Sequence, residues 1–337
     1  MTSNIKAAFL LAPKEMVIRE TTEPKLGADQ ILIEPILTAI CGSDISFFAG
    51  HRNPPAYPVI LGHEVVGKVI AVGSAVTQIA SGQRVIVEPN YTCGVCAFCR
   101  SGRGNICPNK ISLGVTIPGC FAGQFVAPAE FSWLIPETVS NEDAVTIEPL
   151  AVSLHALWQS GVRLGDTIAV VGCGSTGLLL IHAAVSQGVR VFAHDKIKEK
   201  LDMARRLGAE ISESQDVAQL WKSEGITSVF ECAGVSATVE LALKCAPRGS
   251  QIILMGLSSS PASFEPLKFV REGLRVSGSI IYDHPADFAK AIALVEKKVL
   301  SPGTIISRTL PFEKIQDAML LASTGETGKV AMDMEHS

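Results

Sequence analysis

Val170-Val171-Gly172-Cys173-Gly174-Ser175-Thr176-Gly177 decides how the second half of this 337-residue chain is read. An apolar strand-like run, Thr167–Val171, leads into it, and a helical pattern over Leu178–Gln187 follows. The glycines have separate tasks. Gly172 permits the tight turn, Gly174 lets a pyrophosphate approach the backbone, and Gly177 lets helix and strand pack closely. The helix start, which includes Thr176, offers unpaired N–H groups and a partial positive charge to phosphate. The next apolar run, Val189–Ala193, leads to Asp195, 18 residues past Gly177. A carboxylate there accepts both ribose hydroxyls of NAD and repels the 2′-phosphate of NADP. Lys196, Lys198 and Lys200 lie close enough to keep NADP open, and Lys200 can reach the adenosine ribose or stay solvated.

Outward from the turn, strand and helix alternate: helical Ile197–Leu207, strand-like Ser228–Cys232, helical Ala237–Cys245, strand-like Gln251–Met255. This order predicts a parallel sheet covered by helices. The uncharged stretch Thr167–Val189 belongs to that pattern; its glycines and His182 argue against a membrane span. Before residue 150 the character differs. Short runs at Lys6–Leu11, Met16–Arg19, Ile31–Leu37, Glu64–Val72 and Arg84–Glu88 are separated by Pro, Gly and Asn, with no helical period. They predict an antiparallel, barrel-like domain. Pro285–Lys298 again looks helical.

Cys93-x2-Cys96-x2-Cys99-x7-Cys107 is the most specific signal. Four soft thiolates at this spacing can close a tetrahedral shell around Zn²⁺, which leaves no position for substrate and makes the role structural. Arg100, Arg103 and Lys110 can offset the negative charge. An iron–sulfur cluster stays open as an alternative, although x7 replaces the x3 of a ferredoxin run. Three further segments hold metal-type residues: Cys41-Gly42-Ser43-Asp44, Gly62-His63-Glu64 and Glu148-Pro149. One thiolate, one imidazole and one or two carboxylates suit a catalytic zinc with an exchangeable position, but spacing alone does not bring them together. Glu64 also reads as a partner that orients a ligand.

The formal charge of −4 argues against nucleic acid or an anionic membrane surface as partner. Nine cysteines and no export signal point to a reducing, cytoplasmic compartment. Cys173, Cys232 and Cys245 read as core, and His155 and His182 as core or cleft-wall residues.

These motifs, in this order and spacing, resemble the zinc-containing medium-chain alcohol dehydrogenases over nearly the whole chain. Glu148-Pro149-Leu150-Ala151-Val152 is similar to the sorbitol, butanediol and threonine dehydrogenase branch. The resemblance implies an α/β chain with a GroES-like β-barrel catalytic domain and a Rossmann doubly wound parallel-sheet domain. The first covers residues 1–150 and 281–337, with a structural zinc lobe at about 90–110, and the second covers 151–280. It implies Cys41 and His63 as zinc ligands, Glu148 as a direct or water-bridged one, Glu64 as an exchanging or orienting one, and Ser43 as the donor and acceptor that passes the substrate proton outward. It adds Gly256, Leu257 and Ile281 to Gly172, Gly174, Thr176, Gly177, Asp195 and Lys200 as cofactor-binding positions.

The implied chemistry is hydride transfer between a secondary alcohol or polyol and NAD, with two Zn²⁺ per chain, in a homodimer or homotetramer. Departures from the family pattern bear on substrate. Ser46 stands where many relatives carry a relay histidine, and His51 lies at a different spacing. Phe47, Phe48 and Ile281 suggest a pocket suited to a less hydroxylated alcohol. A carbonyl reductase of the same family and a non-catalytic zinc protein on the same fold are the alternatives.

Overall fold

The computed structural model describes residues 4–335 and divides into two compact units: Met1–Glu148 with Asp283–Ser337, and Pro149–Tyr282.

The second unit is a six-stranded, all-parallel sheet. Its spatial order is Glu210–Ile211, Arg190–His194, Thr167–Val171, Ser228–Glu231, Gln251–Leu254, Arg275–Gly278. The first strand in sequence, Thr167–Val171, therefore lies centrally, and the strand order reverses on its two sides. That is the switch point of a doubly wound sheet, where a crevice opens beyond the carboxyl ends of the strands. Ile168, Ala169, Val170 and Val171 are fully buried, as expected for a strand covered on both faces. The uncharged stretch becomes this strand plus the helix Ser175–Ser186. Among the described residues no helix is long and apolar enough to cross a membrane. Trp221 anchors one core cluster, its indole N–H donating to the Ser212 hydroxyl at 3.1 Å.

The first unit is mostly antiparallel. A three-stranded sheet orders Glu15–Thr22, Asn4–Ala12 and Val59–Ile60. A larger sheet orders Ser132–Leu134, Arg84–Val87, Glu64–Val72, Gln30–Ala39, Lys329–Asp333 and Ile306–Pro311, with Phe125–Pro128 also on Gln30–Ala39. Ile31, Ile33, Val65, Val69, Phe121 and Phe125 fill the core between them. Two features differ from the sequence expectation. Gly42–Phe48 is helical where no helical period was read, because seven residues are under two turns and too short to display one. The strand Lys329–Asp333, near the end of the chain, inserts beside Gln30–Ala39 with Ala331 opposite Ala39.

Candidate active site and metal centres

The register of one strand pair assembles the first site. Ala39 lies opposite Glu64, so Cys41 and His63 fall just beyond the paired ends of their strands. Cys41 caps the helix Gly42–Phe48 in extended conformation. Asp44, 1% exposed, ties both turns together: its carboxylate accepts from the N–H of Cys41 at 2.9 Å and of Gly62 at 3.2 Å. The same carboxylate lies 3.6 Å from His63 Nδ1, turning that edge of the ring toward Asp44 and leaving the other nitrogen for a ligand role. Cys41, His63 and Glu64 bring one ligand atom each to within 4.8 Å of one another. Burial pulls the His63 pKa down, but Asp44 and Cys41 outweigh it and hold it well above the usual histidine value. These surroundings favour positive charge, and His63 Nδ1 is buried without a hydrogen-bond partner. A thiol, an imidazole and a carboxylate under that electrostatic demand fit Zn²⁺.

Glu64 is already engaged. Both its oxygens accept from the Lys329 ammonium, at 2.7 and 2.5 Å, with Glu64 and Lys329 at 0% and 1% exposed. Lys329 also donates to the Ile40 carbonyl at 3.3 Å. Burial lowers the Lys329 pKa, yet Glu64, then Cys41 and Glu148, raise it above the ordinary lysine value, so the ammonium stays charged. Glu148 is buried in the first turn of the helix Ile147–Ser160 and lies outside the three-ligand group. Ser43 is half-buried in the first turn of its helix, and His51 is exposed. Phe47 and Phe48, read from sequence as pocket residues, are each 1% exposed and belong to the apolar core, with the Arg52 guanidinium 4.9 Å from the Phe47 ring centre.

The four-cysteine lobe converges more tightly. The Sγ separations are 3.4 Å for Cys96–Cys99, 3.6 Å for Cys93–Cys107, 3.8 Å for Cys96–Cys107 and 4.0 Å for Cys93–Cys99. A tetrahedron with Zn–S bonds of about 2.3 Å has edges of about 3.8 Å. The lobe therefore fits a single ion; several irons would hold the sulfurs farther apart. Backbone N–H groups of Val95 and Cys96 pull the Cys93 thiol down to about 6, while burial and its neighbouring thiols push Cys99 up to about 11. Burial lowers the Lys110 pKa, an effect Cys107 partly opposes, whereas Arg103 is turned onto the Phe98 ring and the Ser101 hydroxyl.

At the glycine turn, Gly172 has φ +95°, and a Cβ there would meet Ala233 at 2.7 Å. A Cβ on Gly177 would sit on the Gly172 carbonyl. Nothing lies within 4 Å of where a Gly174 Cβ would be, at the N-cap of the helix Ser175–Ser186. That open cradle fits a phosphate. Asp195 accepts from the N–H of Cys173 at 2.7 Å and of Ile197 at 2.9 Å, and each oxygen keeps a lone pair for a ribose hydroxyl. Lys200 acts electrostatically on Cys173, whose thiol is pushed up to about 12 by burial and by Asp195. The Thr176 carbonyl accepts from the Ser153 hydroxyl at 3.0 Å. Leu257 is 72% exposed beside Gly256, and Ile281 holds φ +43°, unusual for a branched side chain.

Residues 27–137 match the family described as alcohol dehydrogenase GroES-like domain, and residues 175–297 the one described as zinc-binding dehydrogenase. The chain is 30% identical over 329 residues to the sorbitol dehydrogenase of Bacillus subtilis (strain 168), covering 94% of this chain and 93% of that one. The chain belongs to the zinc-containing medium-chain alcohol dehydrogenases. As a member it is an oxidoreductase acting on alcohol groups. An alcohol dehydrogenase of E. coli CFT073 solved with NADH superposes with TM-score 0.91 at 28% identity, over 98% of this chain and 99% of that one. A zinc-binding dehydrogenase of Sinorhizobium meliloti 1021 bound to NADP superposes with TM-score 0.90 at 30% identity, over 98% and 99%.

Sequence reasoning gave no role to two polar residues of this site: Asp44 and Lys329. Asp44 carried a signal, a carboxylate three residues after a helix-capping Cys. Lys329 carried none, since its partner is 265 residues away.

Proposed function

We propose that this dehydrogenase interconverts a secondary alcohol or polyol with its carbonyl compound, using NAD and two zinc ions, one catalytic and one structural. The observation that carries the reading is the convergence of Cys41, His63 and Glu64 at the ends of paired strands. Cys41 and His63 are the metal-holding residues, with Glu148 joining directly or through a water and Glu64, held by Lys329, as an exchanging or orienting partner. When bound, zinc supplies Lewis acidity toward an alcohol oxygen, and the nicotinamide ring supplies the hydride acceptor. Ser43 hydrogen-bonds the substrate hydroxyl and hands its proton outward. Gly172, Gly174, Thr176 and Gly177 receive the pyrophosphate, Asp195 and Lys200 the adenosine ribose, and Gly256, Leu257 and Ile281 the rest of the dinucleotide. Cys93, Cys96, Cys99 and Cys107 enclose the structural ion.

The Asp195 carboxylate, fixed by two backbone N–H groups, supports NAD over NADP. Burial of Phe47 and Phe48 in the core removes two of the three residues behind the reading of a less hydroxylated substrate, while the Glu148-Pro149 similarity to the polyol branch supports a polyol. The edge strand Arg275–Gly278 is exposed throughout, and Val270 nearby is 82% exposed; both support a homo-oligomer. Nine cysteines with none in a disulfide suit a reducing, cytoplasmic compartment.

The test scans the zinc-loaded protein with NAD⁺ and NADP⁺ against secondary alcohols, 2,3-butanediol, threonine, sorbitol and xylitol. NAD⁺-dependent turnover with a polyol, abolished in Cys41→Ser, is expected. Turnover with NADP⁺ alone, or none with any alcohol despite bound zinc, would count against the reading.

A further inference from the structure

Three neighbouring strand ends of the second unit meet at a buried carboxylate. Glu231 closes the strand Ser228–Glu231 and is fully excluded from solvent. Its Oε1 accepts from the N–H of Ala233 at 3.0 Å, the N–H of Gly234 at 2.9 Å and the Thr238 hydroxyl at 2.7 Å. Its carbonyl accepts from the N–H groups of Met255 at 2.8 Å and Gly256 at 3.1 Å. A carboxylate is expensive to bury, and the bonds it gathers show what it holds in place.

What it holds is the turn Ala233–Gly234, which touches the loops on both sides backbone to backbone. A Cβ on Gly172 would come 2.7 Å from Ala233 N. One on Gly234 would come 2.8 Å from Leu257 N. One on Gly256 would land on Gly234 and lie 2.7 Å from Glu231 Oε2, an oxygen that is buried without a hydrogen-bond partner. The turn is thus wedged between Gly172 and Gly256–Leu257, at the switch point where a dinucleotide lies.

We propose that Glu231 is a positioning residue for the nicotinamide cofactor: by holding the Ala233–Gly234 turn it fixes the floor between the pyrophosphate turn and Gly256–Leu257. The inference rests on the NAD-linked reading above. Glu231 touches no reacting atom, so its loss loosens the cofactor and leaves the alcohol's own contacts alone.

The test compares the zinc-loaded parent with Glu231→Ala, Glu231→Gln and Thr238→Val. It measures NADH affinity by fluorescence titration, KM for NAD⁺ and for the alcohol, zinc content, and folding by circular dichroism. Glu231→Ala is expected to weaken NADH binding and raise the NAD⁺ KM about tenfold, the scale of one lost charge-assisted hydrogen-bond set. The alcohol KM and zinc content should not move. Glu231→Gln keeps the Oε1 acceptor and should recover most of the affinity. Thr238→Val removes one bond and should shift NADH binding in the same direction by less; it carries the test if Glu231→Ala does not fold. Unchanged NADH affinity in a folded Glu231→Ala, or in Thr238→Val where the alanine variant does not fold, overturns the inference. So does an alcohol KM that rises as much as the NAD⁺ KM, which would mean general loosening. A parent that binds neither NADH nor NADPH overturns the functional reading itself and the inference with it. A parent that binds beside indifferent variants overturns the inference alone.

Discussion

Lys329 and Glu64 neutralise each other where neither reaches water, and the pair lies against Cys41. Replacing Lys329 with Met strands a buried carboxylate, which should cost about 3–5 kcal/mol of stability. Urea unfolding should show that loss, and Glu64→Gln added to Lys329→Met should restore much of it. Losses that simply add would mean the pair is not coupled. A second, part-buried pair answers to pH. Glu88, fully buried, accepts from the Trp133 indole at 2.7 Å and faces His284 Nδ1 at 3.0 and 3.1 Å. Burial lowers the His284 pKa, but Glu88, and behind it Glu130, raise it above the usual histidine value. The folded state thus binds that proton more tightly than the unfolded chain. Its contribution is full below the unfolded pKa of about 6.5 and is lost as pH rises through the folded value. The melting temperature of the parent should therefore fall from pH 6 toward alkaline pH more steeply than that of His284→Gln. Parallel profiles would contradict this.

Two glycines in one turn separate packing from binding. Gly177→Ala drives a methyl into the Gly172 carbonyl and should destabilise the helix–strand contact by about 1–3 kcal/mol. Gly174→Ala meets open space, so the melt should barely change while NADH affinity drops, because the methyl occupies the phosphate cradle. Thermal melts and NADH titrations of both variants check the contrast; a stability loss in Gly174→Ala with unaltered NADH binding would sink it. This turn was legible in the sequence because strand, glycines and helix are local: the helix read as Leu178–Gln187 occurs as Ser175–Ser186. The strands of the first unit were legible too, as Glu64–Val72 shows. The helix Gly42–Phe48 was too short to reveal a period, and Lys329–Asp333 joins its sheet by pairing Ala331 with Ala39, 292 residues away (331 − 39), which no local pattern records. The same distinction applies to the site. The cysteine lobe could be read from spacing, whereas the meeting of Cys41 with His63 depends on the register of Ala39 against Glu64.

For the whole molecule, the parallel sheet ends on an open edge. Arg275–Gly278 pairs only with Gln251–Leu254 among the described residues, and Val276 is 44% exposed. Unpaired N–H and C=O groups beside apolar side chains favour a second copy. Light scattering on the parent should give a dimer or a multiple of it, and Val270→Glu with Val276→Lys should shift the protein toward monomer. A monomeric parent would contradict the oligomer reading. On the proposed function, the zinc-ligand cluster and the glycine turn serve one hydride transfer. The most direct test uses the alcohol preferred by the parent, deuterated at its carbinol carbon, with NAD⁺, and follows the label by NMR. Deuterium should appear on the reduced nicotinamide, one per product formed, and both transfer and turnover should vanish in Cys41→Ser. Deuterium lost to solvent, or transfer that survives Cys41→Ser, would contradict it.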